Sequence, residues 1–301
     1  MAGAGLIIPD YAIPDAVMVA HYRCDILPVL EGIAEAVSHH CGVILLSQDE
    51  AFSRAFVERM ERPDRFAVLS APYDTPWIRD RSPVAVRGAG GVRWLRPRIE
   101  DMGRPADDAL FARLCAAPVE PVPLSCLPRG NMVAGADGLM LVTRDVLRVN
   151  GLRRKDLDTH SAVLGVRKWL VFTGFAGEQT GHADVHVRVL DEHLYALAWN
   201  LSVKADRARM ARLEEAIIRH DPKARILRIP IRSRGERYAS LVNWIEIGRR
   251  IIAPRFAETP RQDMIRMRDM LGAEGFSVAF VSSPTAHLGG ALHCLSASIF
   301  V

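Results

Sequence analysis

Five polar islands recur along the 301-residue chain at a nearly constant interval, and this period constrains the fold more than any other feature. Asp80 closes Trp77-Ile78-Arg79-Asp80, and Asn131 follows Arg129-Gly130. His182 and Asp184 lie in Gly181-His182-Ala183-Asp184, Asn243 in Leu241-Val242-Asn243-Trp244, and Cys294 closes Gly289-Gly290-Ala291-Leu292-His293-Cys294. The steps from 80 through 131, 182 and 243 to 294 are 51, 51, 61 and 51 residues. Self-similarity at such a period marks a repeat architecture, here one that delivers a polar residue per unit to a common point.

Between the islands one module repeats. Alternation predicts a strand from His182 to Leu190, a turn at Asp191-Glu192-His193 and a return strand Leu194–Trp199. A helix follows with Met210, Leu213 and Ile217 on one face, then a strand Arg225–Ile231. After Asn243 the order recurs: a strand, a turn at Gly248, a strand Arg250–Pro254, a helix carrying Met264, Met267 and Leu271, and a strand Phe276–Val281. The earlier units place helices at Pro105–Ala116 and Asp156–Gly165 and closing strands at Val119–Leu124 and Lys168–Thr173. An N-terminal helix with Ile26, Leu30, Ile33 and Val37 leads to the strand Gly42–Leu46, which a last strand Cys294–Phe300 would complete. Five strand–strand–helix–strand units result, the terminal one shared between the chain ends, with no linker between them. A single domain over 1–301 is expected, closed by radial repetition as an α/β propeller.

Composition excludes little beyond this. Apolar residues make up 49% and charged residues 25%, ordinary for a globular enzyme. The net charge of +4 rests on 35 arginines and four lysines, scattered and not striped with aromatics, so nucleic acid is not an expected partner. Pro9, Asp10, Pro14 and Asp15 break the first twenty residues, which lack a basic leader pattern. No run approaches the ~18 apolar residues of a membrane span, so no membrane is expected. Cys24, Cys41, Cys115, Cys126 and Cys294 are odd in number and lack metal-knuckle spacing. A reduced, cytoplasmic protein is the expectation, with a homo-oligomer left open.

Two carboxylates, a histidine and a thiol suit the chemistry of a guanidinium group. Its planar N–H pairs are accepted by carboxylates, so Asp80 and Asp184 would grip it from two edges. The attacking form of Cys294 must be the thiolate, favoured by a bound cation and by protonated His182. His182 would then protonate the leaving nitrogen and activate water. Trp77, Asn131 and Asn243 are candidate substrate-binding residues.

These residues carry a family resemblance. Asp74-Thr75-Pro76-Trp77-Ile78-Arg79-Asp80-Arg81-Ser82-Pro83 resembles the D-D-x-W-x-R-D-x-G-P signature of agmatine deiminases and bacterial peptidyl-arginine deiminases. Gly181-His182-Ala183-Asp184 with Arg188 is similar to their G-H-x-D-x-x-x-R, and Gly289-Gly290 with His293-Cys294 to their terminal G-G-x-x-H-C. The resemblance implies the pentein fold of five pseudo-symmetric ββαβ units. It also implies a cysteine-dependent deiminase that needs no metal or cofactor, with Cys294 as nucleophile, His182 as acid–base, and Asp80 and Asp184 as clamps on a small guanidino substrate. Departures cluster around the substrate. The family's E-G-G-[N/S] is Pro128-Arg129-Gly130-Asn131 here, its second Asp is Thr75, and its Gly before Pro83 is Ser82. A carboxylate expected after Thr143 is Arg144, with Asp145 next to it and on the opposite face if the strand continues. An amidinotransferase on the same scaffold is the alternative. A metal-dependent hydrolase using His182, Asp184 and His186 on one strand face is a rival, as is a silent binding protein. Arg96, Arg98 and Arg104 are candidates for a substrate carboxylate.

Overall fold

The computed structural model describes residues 5–22, 24–89, 91–99, 103–114, 119–233, 238–285 and 290–300. Among these residues the strands form five separate sheets in a mixed α/β fold. Three sheets follow one plan. Leu139–Thr143, Leu194–Asn200 and Arg250–Arg255 are each the central strand of a trio. Each pairs antiparallel with the strand before it (Val133–Ala134, Val187–Asp191, Ile245–Ile247) and parallel with the one after its helical crossover (Lys168–Phe172, Arg225–Ile231, Ser277–Ser282).

The other two sheets elaborate the plan. Val84–Gly88 and Gly91–Arg96 form a hairpin that pairs in parallel with Val119–Pro121, and Leu6–Ile7 adds to the outer edge of Val84–Gly88. The last sheet takes Ser296–Ile299 from the far end of the chain against Ala16–Ala20, then Gly42–Leu46 and Phe66–Leu69 in parallel. The sequence reading missed Ala16–Ala20. The C-terminal strand therefore completes the N-terminal sheet through that strand and not directly on Gly42–Leu46.

Amphipathic helices cover the sheets and share their apolar faces between neighbours. Lys204–His220 buries Met210, Leu213 and Ile217, the residues spaced for one face. Arg261–Ala273 packs on both Arg225–Ile231 and Ser277–Ser282 and buries Met267 and Leu271. Leu27–Ser38 crosses from its own sheet to Ser277–Ser282, where a Cβ on Gly32 would stand 2.6 Å from Val281 Cγ1. Pro105–Leu114 follows the first hairpin as expected, while residues 115 and 116 lie outside the described residues.

Two local expectations fail, each for a backbone reason. Residues 182–186 are not strand: Gly181 at φ +66° turns the chain into a 3-10 turn, Ala183–Val185, and the strand starts at Val187. The strand before Arg144 ends at Thr143, and Arg144 already has helical dihedrals that open the short helix Asp145–Val149. Strand alternation therefore does not govern where Asp145 points.

Candidate active site

Each polar island is a tight turn just ahead of the first strand of its sheet. Asp80 precedes Val84, Asn131 precedes Val133, Asp184 precedes Val187, Asn243 precedes Ile245 and Cys294 precedes Ser296, by two to four residues in every case. The turns touch in sequence order and return to the first. Ile78–Arg81 packs on Arg129–Asn131, which packs on Ala183–Val185. Ser240 Oγ donates to Val185 O at 2.7 Å, and the Ala291 and Cys294 amides donate to Asn243 Oδ1 at 3.2 and 3.4 Å. The Arg79 amide donates to Cys294 O at 3.4 Å, closing the circuit.

The catalytic candidates meet inside this circuit. His182 Nδ1 lies 3.8 Å from Asp80 Oδ1. The ring rests on Gly130, where a Cβ would come within 2.4 Å of Nδ1; this explains why the glycine of Arg129-Gly130-Asn131 is kept. Cys294 is buried, and its thiol donates to Asn243 Oδ1 at 3.4 Å. Gly290 lets the Trp77 indole lie over the loop that carries Cys294, since a Cβ there would stand 2.6 Å from the ring and 3.0 Å from Cys294 Cβ. Gly289 lies outside the described residues.

Asp80 and Asp184 each have one carboxylate oxygen held by protein. Asp80 Oδ2 accepts from Arg104 Nη1 at 3.2 Å. Asp184 Oδ2 bonds His293 Nδ1 at 2.6 Å, while its buried Oδ1 has no partner among the described residues. One oxygen of each carboxylate is therefore engaged, while Asp80 Oδ1 lies toward His182 and Asp184 Oδ1 stays uncommitted among the described residues. Arg188 Nη1 donates to His293 Nε2 at 2.6 Å, which leaves the proton on Nδ1 and directs it at Asp184. Burial, reinforced by Arg188, Arg79 and Arg129, holds His293 well below its usual range, so this is a neutral ring.

The electrostatics of the site are set by desolvation. Burial pushes the Asp184 carboxyl up to about 6, against His182, Arg79 and Arg188, which favour its charge. Burial pushes the Cys294 thiol well up, and the Asp184 and Asp80 carboxylates add to that rise. A cation placed between those carboxylates opposes the repulsion and favours the thiolate.

Other sequence-predicted residues take supporting places. Asn131 is buried with its amide committed to Thr143 in both directions: Nδ2 donates to Oγ1 at 3.0 Å and Oδ1 accepts from the amide at 2.9 Å. Thr143 Oγ1 donates in turn to Gly181 O at 2.5 Å, which fixes the turn that carries His182. Arg104 points inward, donating also to Asp107 Oδ2 at 2.7 Å and Trp77 O at 2.9 Å, so it braces Asp80 and is not directed at a distant carboxylate. Thr75 Oγ1 donates to the same Asp107 at 2.9 Å, a use for the hydroxyl that stands where the signature has Asp. His182, Asp184 and His186 do not share a face: they meet Asp80, His293 and the rings of Phe172 and Phe175 respectively. The expected rival metal set is thus dispersed by the turn at Ala183–Val185. His293, Arg188 and Arg104 were not read from sequence as partners around Asp184 and Asp80, because only tertiary packing brings residues 109, 105 and 24 positions apart into contact.

The family profile of the Porphyromonas-type peptidyl-arginine deiminases matches residues 14–299. The chain belongs to that family. Proteins of known structure share its fold: C. jejuni agmatine deiminase superposes with a TM-score of 0.84 at 18% identity, covering 98% of this chain and 97% of the other. Agmatine deiminase of Enterococcus faecalis superposes at 0.79 with 13% identity, covering 98% and 96%. A cysteine-to-serine variant of the C. jejuni enzyme with substrate bound gives 0.83 at 17% identity, covering 98% and 96%. No curated protein matches the sequence. Within the family's signatures, the positions occupied here by Asp80, His182, Asp184 and Cys294 are the ones gathered in the circuit of turns.

Proposed function

We propose that this protein is a cysteine-dependent deiminase that hydrolyses the guanidinium group of a small guanidino compound. The observation that carries the reading is the paired but half-committed state of Asp80 and Asp184 around a buried thiol. One oxygen of each is anchored, by Arg104 and by His293, and the other is left for N–H donors of a planar cation. Burial and carboxylate repulsion together hold Cys294 protonated, and binding such a cation offsets the repulsion, so the substrate itself promotes the thiolate. Cys294 Sγ attacks the guanidinium carbon. His182 gives a proton to the departing nitrogen, which leaves as ammonia, and a thiouronium-type adduct remains on Cys294. His182 then takes a proton from water as the oxygen adds to the same carbon. The C–S bond breaks, releasing a ureido product and the free thiol.

On this reading the five sheets are radial units of one pentein propeller spanning 1–301, an arrangement supported by the circuit of island turns and by the repeated strand order. Trp77 forms one wall. Asn243 holds the nucleophile's loop and Asn131 the acid–base turn. A thiol that must stay reduced suits a cytoplasmic setting.

A panel of guanidino compounds assayed for ammonia and ureido product tests the proposal. At least one should be turned over by the wild-type chain, not by Cys294→Ser, and with rates lowered roughly a hundredfold or more in Asp80→Asn and Asp184→Asn, the typical consequence of losing a charge-assisted contact in a dry site. Near-normal turnover by both Asn variants would refute the guanidinium clamp.

A further inference from the structure

Directly beside the turn that carries His182 lies a second cavity of about 340 Å³, within the range of small-molecule sites. Its walls include Arg144, Asp145, Phe175, Glu178, His186 and Arg209, and Gly181 forms part of its rim one residue before the acid–base. The charges around it are unequally committed. Glu178 accepts from the Thr180 amide at 2.9 Å, the Thr180 hydroxyl at 2.7 Å and the Gly181 amide at 2.9 Å. Asp145 Oδ1 accepts from Arg148 Nε at 2.9 Å. The cations have no such engagement among the described residues. Arg144 is exposed and pairs with no described carboxylate, and Arg209 spends one N–H on Gly174 O at 2.8 Å and pairs with none either.

His186 supplies an independent sign of a ligand. Its side chain is fully buried, yet neither ring nitrogen has a hydrogen-bond partner among the described residues, and the nearest carboxylate, Glu178 Oε2, is 3.9 Å away. A buried polar atom is ordinarily satisfied by protein, water or ligand. Burial holds this ring down at about 4, so it is neutral and carries one N–H to donate. Gly174 keeps the approach open, since a Cβ there would stand 2.7 Å from His186 Nε2.

We propose that this pocket binds a carboxylate, gripped by the Arg144 and Arg209 guanidinium groups with the His186 ring as a further donor. Planar guanidinium groups match a carboxylate's two oxygens. Arg144 then has a use: it stands where the family signature leads one to expect an acid, and it turns a wall beside the acid–base toward anions. The location beside the reacting centre rests on the deiminase reading, whereas the binding itself does not. Two sources share this chemistry, the far end of the guanidino substrate and a separate small carboxylate.

Calorimetric titrations distinguish them. Butyrate should bind wild-type protein, or 4-guanidinobutyrate should bind the Cys294→Ser chain, and either affinity should fall tenfold or more in both Arg144→Gln and Arg209→Gln. Propylammonium should not bind the pocket. If the carboxylate is the substrate's tail, the preference of kcat/KM for 4-guanidinobutyrate over propylguanidine collapses about tenfold in Arg144→Gln. If it is a separate ligand, butyrate changes propylguanidine turnover saturably, and Arg144→Gln abolishes that response. Absence of binding by both carboxylates, or equal affinity in both arginine variants, overturns the proposal. Intact binding without turnover of any guanidine would count against the deiminase reading alone.

Discussion

At the scale of single residues, the site depends as much on what is missing as on what is present. Gly130 has no side chain where His182 needs room, and a methyl group 2.4 Å from Nδ1 must displace the ring. Gly130→Ala should therefore lower kcat by about a hundredfold or more, because catalysis tolerates little displacement of an acid–base, while the fold survives in thermal melts. Turnover within a fewfold of wild type would show that the ring does not act from this position. Neutral residues also matter. His293 carries no charge, yet by accepting from Arg188 and donating to Asp184 it fixes which clamp oxygen is free. Cys294, His182 and both aspartates stand out in the sequence as candidates because their residue types carry chemistry. His293 is visible there only as part of the terminal motif beside Cys294, since a histidine's tautomer and partners are tertiary facts.

The elements that hold the site are conventional, and their interiors were the most legible part of the chain. Lys204–His220 follows from the spacing of Met210, Leu213 and Ile217, and Arg225–Ile231 was bounded in the sequence as it is in the structure. Leu213 is fully within the core, so Leu213→Ala should cost about 2–5 kcal/mol in denaturant unfolding. The same variant should leave kcat nearly unchanged, because Asp80, His182, Asp184 and Cys294 all lie off that helix. A cost below about 0.5 kcal/mol would mean that the helix face was assigned wrongly. Element ends were less legible. The segment 182–186 alternates like a strand, but a left-handed glycine and a buried histidine make it a turn. Ala16–Ala20 was missed because five small and apolar residues between proline-broken segments carry no period of their own.

At the scale of the whole molecule, the turns enclose a set of buried charges beside the site. Arg129 Nη2 donates to Asp10 Oδ1 at 2.9 Å, and Arg79, Arg188, Glu246 and His293 line the same small cavity, about 20 Å³ and room for about one water. Burial alone would raise Asp10, but Arg129, Arg188 and Arg79 hold it below the usual carboxylate range. Glu246 is not so compensated: burial pushes it up to about 8 from an ordinary 4.5. A carboxyl raised in the folded state binds its proton more tightly there. Its contribution is full below about pH 4.5 and is lost as pH climbs through the folded value near 8, with a slope of about 1.4 kcal/mol per pH unit inside that window. Glu246→Gln, which imitates the protonated form, should flatten the fall of unfolding free energy between pH 5 and 8 relative to wild type. Parallel curves for the two proteins would refute the assignment.

What the sequence determined by itself was the period, the order of strands and helices between the islands and, through its motifs, the family. A strand–strand–helix–strand module repeated at about 51 residues leaves its mark in local apolar spacing, which needs no knowledge of contacts. Tertiary structure alone decided how those residues are used. It bound Asn131 to Thr143, directed Arg104 onto Asp80, set a neutral His293 between Arg188 and Asp184, and left Arg144 uncommitted beside a pocket. Hydrogen bonds and desolvation join residues far apart in the chain, and no local pattern records them. Sequence therefore names the candidate groups, while packing sets their ionisation and their hydrogen-bond partners.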